Sequence, residues 1–141
     1  MALEHEELTG KIIAAAIEVH RRLGPGFIES IYENALVIEL RKRGLKVEQQ
    51  IEIVVEYENV EVGRHRLDLF VEDTIVVELK AIKELDDIHF AIVRSYLKAM
   101  NREHGLLLNF AKTKLEVKRV INQESNKESR LALSEANVKA G

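Results

Sequence analysis

Two alternating segments separated by two residues constrain this chain more than anything else in it. They are Arg64-His-Arg-Leu-Asp-Leu-Phe-Val71 and Thr74-Ile-Val-Val-Glu-Leu-Lys80, with Glu72-Asp73 between. Both have the β-branched and aliphatic content of strands, in period-two alternation. Leu67, Leu69 and Val71 share one face of the first; Ile75, Val77 and Leu79 share one face of the second. A hairpin centred on Asp73 pairs Val71 with Ile75, Leu69 with Val77 and Leu67 with Leu79. A loop one residue shorter would turn polar groups into the core. The favoured register sets Asp68 opposite Glu78 and Lys80 opposite Arg66, with Asp68, Glu78 and Lys80 on one face. Two carboxylates so placed lie roughly 5 Å apart at Cβ and repel. A divalent cation between them would compensate, and so would Arg66 and Lys80 facing water beside them. The hairpin alone leaves both readings open.

The 141 residues suffice for one domain with a core. There is no cysteine, so disulfides and thiolate metal sites are excluded and a reducing cytoplasm is the simplest home. No apolar run approaches the ~18 residues of a membrane span, and Met1-Ala-Leu-Glu-His-Glu-Glu7 lacks the basic start of a signal peptide. A cytoplasmic protein is expected. The net charge of −3 argues against a purely electrostatic nucleic-acid coat. It is compatible with a nuclease, whose acidic metal ligands offset basic groups elsewhere.

Leu8, Ile12, Ala15/Ala16, Val19 and Leu23 predict a helix from about residue 6 to 23, stopped by Gly24-Pro25-Gly26. A second helix is predicted over Glu29 to Arg43, with Ile28, Ile31/Tyr32, Ala35/Leu36 and Leu40 inward. Val47 to Tyr57 reads as a strand and Glu58 to Glu61 as a turn. After the hairpin, Asp86 or Asp87 caps a helix to Met100, with Ile88, Ala91/Ile92 and Ala99 inward. Leu106 to Phe110 is a buried strand, which implies a right-handed parallel crossover. Leu115 to Ile121 is a last, edge-like strand. The expected fold class is α/β, a mixed central sheet flanked by helices over residues 1–121. The polar stretch 122–141 is expected to be disordered or a frayed helix. The five histidines show no His-x-x-x-His spacing, so no zinc site is expected. P-loop, nucleophile-elbow and dinucleotide motifs are missing from the sequence.

Gly26-Phe-Ile-Glu29-Ser-Ile-Tyr32 matches the signature of the GxxExxY protein family. The resemblance extends to Leu8-Thr-Gly10, Glu18-Val-His20, Leu23-Gly-Pro-Gly26, Arg66-Leu-Asp68, Glu78-Leu-Lys-Ala81, His89 and the strand from Gly105 to Phe110, covering about residues 8 to 121. That family is placed in the PD-(D/E)xK nuclease superfamily, whose restriction-endonuclease-like fold has an αβββαβ core. The resemblance implies metal-dependent hydrolysis of phosphodiesters in nucleic acid, DNA first. It implies that Asp68 and Glu78 bind Mg²⁺ or Mn²⁺, that Lys80 activates water and stabilises charge on phosphate, and that Glu29 is an auxiliary acid. Arg66, Tyr32, His89 and Tyr96 are candidate substrate contacts. For Tyr32 and Tyr96 core packing is the competing role, and for His89 a solvated helix start. One position departs from the pattern: Ile92 stands where the family usually carries Gln, four residues before Tyr96. This motivates an alternative, a catalytically impaired nuclease-fold module that binds nucleic acid or protein. A homodimer, or a partner role in a DNA-repair or defence complex, is a third expectation.

Overall fold

Leu8, Ile12, Ala15, Ala16 and Val19 form the buried face of α1 (His5–Leu23) in the computed structural model, which describes residues 5–122. The tail expected over 122–141 lies, Asn122 excepted, outside the described residues. In α2 (Glu29–Lys42) the buried face is Tyr32, Glu33, Leu36, Val37 and Leu40. This differs from the predicted stripe, because Ile28 is 68% exposed and Ile31 is exposed too. The cause is Tyr32. Its ring stacks on Phe110 with centroids 4.5 Å apart. Its hydroxyl donates to the Gly24 carbonyl (2.6 Å) and accepts from the Phe27 N–H (3.2 Å). Those contacts lock the helix rotation and turn Glu33 inward.

Five strands follow in the spatial order β1 (Val47–Tyr57), β2 (Val60–Val71), β3 (Ile75–Lys80), β4 (His104–Asn109) and β5 (Glu116–Ile121). Among the described strands only β3 and β4 pair in parallel, joined through α3 (Asp87–Met100). The turn between β1 and β2 is shorter than predicted. Glu58 and Asn59 both have positive φ (50° and 64°), the two-residue arrangement whose twist suits a hairpin. Val60 to Gly63 are therefore strand.

The sheet separates two apolar layers. On the side of α1 and α2 lie Leu69, Val71, Ile75, Val77, Leu79, Leu106, Leu108 and Phe110. On the side of α3 lie Ile53, Leu67, Phe70, Val76 and Leu107, packed against Val93, Tyr96 and Leu97. Of the predicted stripe Ile88, Ala91/Ile92 and Ala99, only Ile92 packs against this layer; Ile88 is 61% exposed, and Ala91 and Ala99 are exposed too. The stripe through Val93, Tyr96 and Leu97 keeps the same helical spacing and buries more side-chain surface. Gly105 lets α3 come close, since a Cβ there would meet Val93 Cγ1 at 2.9 Å and the Val76 carbonyl oxygen at 3.3 Å. Gly105→Ala is expected to destabilise the fold by roughly 1–3 kcal/mol through overpacking, read from the urea midpoint. An unchanged midpoint would mean that α3 does not press on β4. No helix among the described residues is long and apolar enough to cross a membrane.

Candidate active site

β2 and β3 pair in the register set by their apolar faces, Val71 with Ile75 and Leu69 with Val77. The ladder stops there. Directly opposed carboxylates repel, and the strands part at Asp68 and Glu78. The Asp68 N–H donates to Glu78 Oε1 (3.2 Å), and the Leu79 N–H donates to Asp68 Oδ2 (2.9 Å). Each carboxylate thereby replaces an acceptor that the broken ladder no longer supplies. β3 continues against β4, with Glu78 beside Leu107 and Lys80 beside Asn109. Two expectations change as a result. Lys80 is not opposite Arg66, which pairs with Glu52 on β1. Leu67 packs in the layer under α3 and not with Leu69 and Leu79.

The parting is matched on β1 by Gln50, whose φ is +53°. It lies between the pairs Gln49–Leu69 and Ile51–Leu67, at the position facing Asp68. A left-handed residue inside a strand interrupts the side-chain alternation. Val47 therefore packs on the side of α2, whereas Ile51 and Ile53 pack under α3. Gln49 and Gln50, though adjacent, both reach Glu33: their Nε2 atoms donate at 2.9 and 2.7 Å. Gln50 Nε2 also donates to Asp68 Oδ1 at 3.3 Å. Glu33, Gln49 and Gln50 were missed in the sequence reading. The available signal was polar residues breaking two apolar patterns, Glu33 between Tyr32 and Leu36, and Gln49-Gln50 between Val47 and Ile51.

The electrostatics follow from this crowding. Glu78 is only 5% exposed. Burial, then the charge of Asp68, pushes its carboxyl up to about 9, against the pull of the Asp68 N–H and the Lys80 ammonium. Glu33 is also raised, first by burial and then opposed and aided by its neighbours, with Asp68 the charge that raises it. Tyr96 is pushed up to about 12 by burial and by the charges of Glu78 and Asp68, so it keeps its proton, which it donates to the Arg66 carbonyl at 3.1 Å. Burial and the neighbouring Asp68 charge disfavour the ionised Glu78, and a cation beside both groups would relieve what protonation otherwise relieves. One oxygen of each group is tied to a backbone N–H; Glu78 Oε2 and Asp68 Oδ1, the latter also accepting from Gln50 Nε2, are the oxygens left to meet an ion. An all-oxygen pair of this kind fits Mg²⁺ or Mn²⁺, with water and phosphate oxygens completing the shell.

The other candidates are placed as follows. Lys80 is half-buried and lies on the same side of β3 as Glu78 by strand alternation. The segment just beyond it is clamped by the fully buried Asn109, whose Oδ1 accepts from the Ile82 N–H (3.1 Å) and whose Nδ2 donates to the Ile82 carbonyl (2.8 Å). Glu29 is exposed in the first turn of α2; the acid that α2 brings to Asp68 is Glu33, one turn later. Tyr32 is fully buried, its hydroxyl donating to the Gly24 carbonyl and accepting from the Phe27 N–H. His89 Nδ1 accepts from the Asp86 N–H (2.8 Å) and so closes the N-terminus of α3. Arg66 is exposed. Ile92 packs in the apolar layer of α3, and the amide that reaches the acids comes from Gln50 on β1.

A family model described as the PD-(D/E)XK nuclease superfamily matches residues 6–120. The chain belongs to that superfamily. Among solved structures, an alkaline exonuclease (LHK-Exo) from Laribacter hongkongensis is similar with a TM-score of 0.51 and 13% identity, over 99% of this chain and 84% of that one. The crystal structure of SSO0001 is similar with a TM-score of 0.53 and 19% identity over 65% of this chain, which spans 48% of SSO0001, about half its length. At these identities the likeness is one of fold. The mixed five-stranded sheet with flanking helices is the restriction-endonuclease-like fold. No curated protein matches the chain.

Proposed function

We propose that this chain is a nuclease of the GxxExxY group that hydrolyses phosphodiester bonds in DNA with Mg²⁺ or Mn²⁺ in the cytoplasm. The observation that carries the proposal is the opening of the β2–β3 ladder at Asp68 and Glu78, which leaves a buried acid holding a proton well above the ordinary carboxyl range. Asp68 and Glu78 are the residues that would hold the cation. When bound, it supplies Lewis-acid polarisation of a phosphoryl oxygen and acidifies a water.

The chain's own residues account for the remaining tasks. Lys80 places a positive charge where negative charge develops on phosphorus, and orients the attacking water. Glu33 serves as the auxiliary acid, holding Asp68 in place through Gln50 and accepting a proton from that water; Glu29 stands at the solvent rim one turn earlier. Tyr96 anchors β2 beside α3 through the Arg66 carbonyl. Arg66 and the Nε2 of His89 are the groups that reach substrate phosphate. Work as a homodimer or inside a repair or defence complex would supply DNA targeting to a domain of this size.

The test is cleavage of single-stranded DNA, duplex DNA and RNA by the purified chain with Mg²⁺ or Mn²⁺. Cleavage is expected to stop on chelation and to fall about 10²–10³-fold in Lys80→Ala. Equal cleavage by Lys80→Ala would overturn the proposal. The second reading, an adaptor, is favoured by Ile92 at the position where the family usually carries Gln. Tight DNA binding without cleavage under any of these ions would establish it.

A further inference from the structure

Away from the acidic pair, the fold brings together two histidines and a carboxylate from opposite ends of the described chain. His5 opens α1, and Glu103-His104 leads into β4. The His5 and His104 rings lie 4.2 Å apart between centroids, tilted by 50°. His104 Nε2 is 3.7 Å from Glu103 Oε2. One ligand atom from each of the three residues falls within 4.8 Å of the other two. Among the described residues, no other group of three or more His, Asp or Glu side chains converges this closely.

We infer that His5, Glu103 and His104 form a second metal site, one that takes a borderline divalent transition ion such as Zn²⁺. The donor chemistry separates it from the acidic pair, since two imidazoles and one carboxylate suit Zn²⁺, whereas oxygens alone suit Mg²⁺. Bond lengths of about 2.0–2.2 Å in a tetrahedral shell place the donor atoms about 3.3 Å apart. Closing the present spacing, at most 4.8 Å, to that value requires ligand atoms to move by up to about 1.5 Å, and His5 is exposed at the start of α1. A cavity of about 340 Å³ adjoins the two histidines, with Glu6 and Arg119 in its wall. It has room for a water as fourth ligand, and Glu6 adds a second negative charge. The Arg119 guanidinium, held on Thr9 Oγ1 at 2.6 Å in the same wall, works against a cation, and the Glu6 and Glu103 carboxylates offset it. The bound ion would tie the first turn of α1 to the start of β4. Histidine spacing could not reveal this site, because spacing detects only ligands carried by one helix or loop.

The test is calorimetric titration of the full chain with Zn²⁺, alongside visible absorption with Co²⁺ as the spectroscopic substitute. One Zn²⁺ per chain is expected, with a Co²⁺ band of a tetrahedral nitrogen/oxygen site. His5→Ala and His104→Ala are each expected to weaken binding at least about 10-fold, and Asp68→Asn to leave it unchanged. His5 lies at an exposed helix start, so His5→Ala remains informative if His104→Ala fails to fold. Equal Zn²⁺ affinity in His5→Ala, or its loss in Asp68→Asn, would overturn the inference.

Discussion

Asp68→Asn is expected to abolish cleavage while making the metal-free protein more stable. The amide oxygen still accepts from the Leu79 N–H, so the bond that holds the parted strands survives. What disappears is the negative charge that raises both Glu78 and Glu33, together with the long 3.3 Å bond that Gln50 Nε2 donates to Oδ1. Each unit by which the Glu78 carboxyl falls returns about 1.4 kcal/mol above its titration range. The gain in chelator is therefore expected to be small at pH 7 and to grow as pH passes the folded value of about 9, reaching about 1.4 kcal/mol for each unit by which Glu78 falls. Removing one of the two carboxylates that hold the cation should meanwhile cost at least 10²–10³-fold in rate, as loss of one electrostatic partner does. A residue that merely holds the fold would do the opposite, lowering stability and sparing the rate. Parallel urea denaturation and cleavage assays separate the two outcomes.

The metal-free protein is expected to lose stability steadily as pH rises from about 5 to about 9. Glu78 has an ordinary carboxyl value of 4.5 when unfolded and about 9 when folded. Between those values the native state binds one more proton than the unfolded chain, so the unfolding free energy falls with pH, by up to about 1.4 kcal/mol per unit. The stability is complete below pH 4.5 and lost as pH passes the folded value. Glu33 is displaced in the same direction and adds to the slope. Glu78→Gln should flatten the profile, because the amide carries no charge to desolvate. Saturating Mg²⁺ or Mn²⁺ should flatten it too, since the ion takes over from the proton. Urea midpoints measured from pH 5 to 9 in chelator give the profile directly. A flat or rising wild-type curve would mean that Glu78 ionises as an ordinary surface acid.

The register of the β2–β3 hairpin was legible because a one-residue slip would expose every apolar side chain. Asp68, Glu78 and Lys80 followed from it. The repulsion between those acids was legible too, but not how the fold accommodates it, because the matching left-handed backbone at Gln50 falls in a residue that composition does not mark for it. Glu33 was hidden for a related reason. Two neighbouring stripes of α2 satisfy helical spacing, and the choice between them rests on the Tyr32 hydroxyl reaching Gly24 and its ring reaching Phe110. The same ambiguity misplaced the inner face of α3, where the close approach permitted by Gly105 selects Val93 and Leu97. Local periodicity specifies which elements form; long-range contacts decide how each one is turned.

The most direct measurement is a Mn²⁺-soaked crystal structure with the anomalous signal located. The ion is expected within roughly 2.0–2.6 Å of an oxygen of both Asp68 and Glu78, with Lys80 facing it. Strong Mn²⁺ peaks elsewhere and none between those two carboxylates, at ion concentrations that support cleavage, would contradict the account.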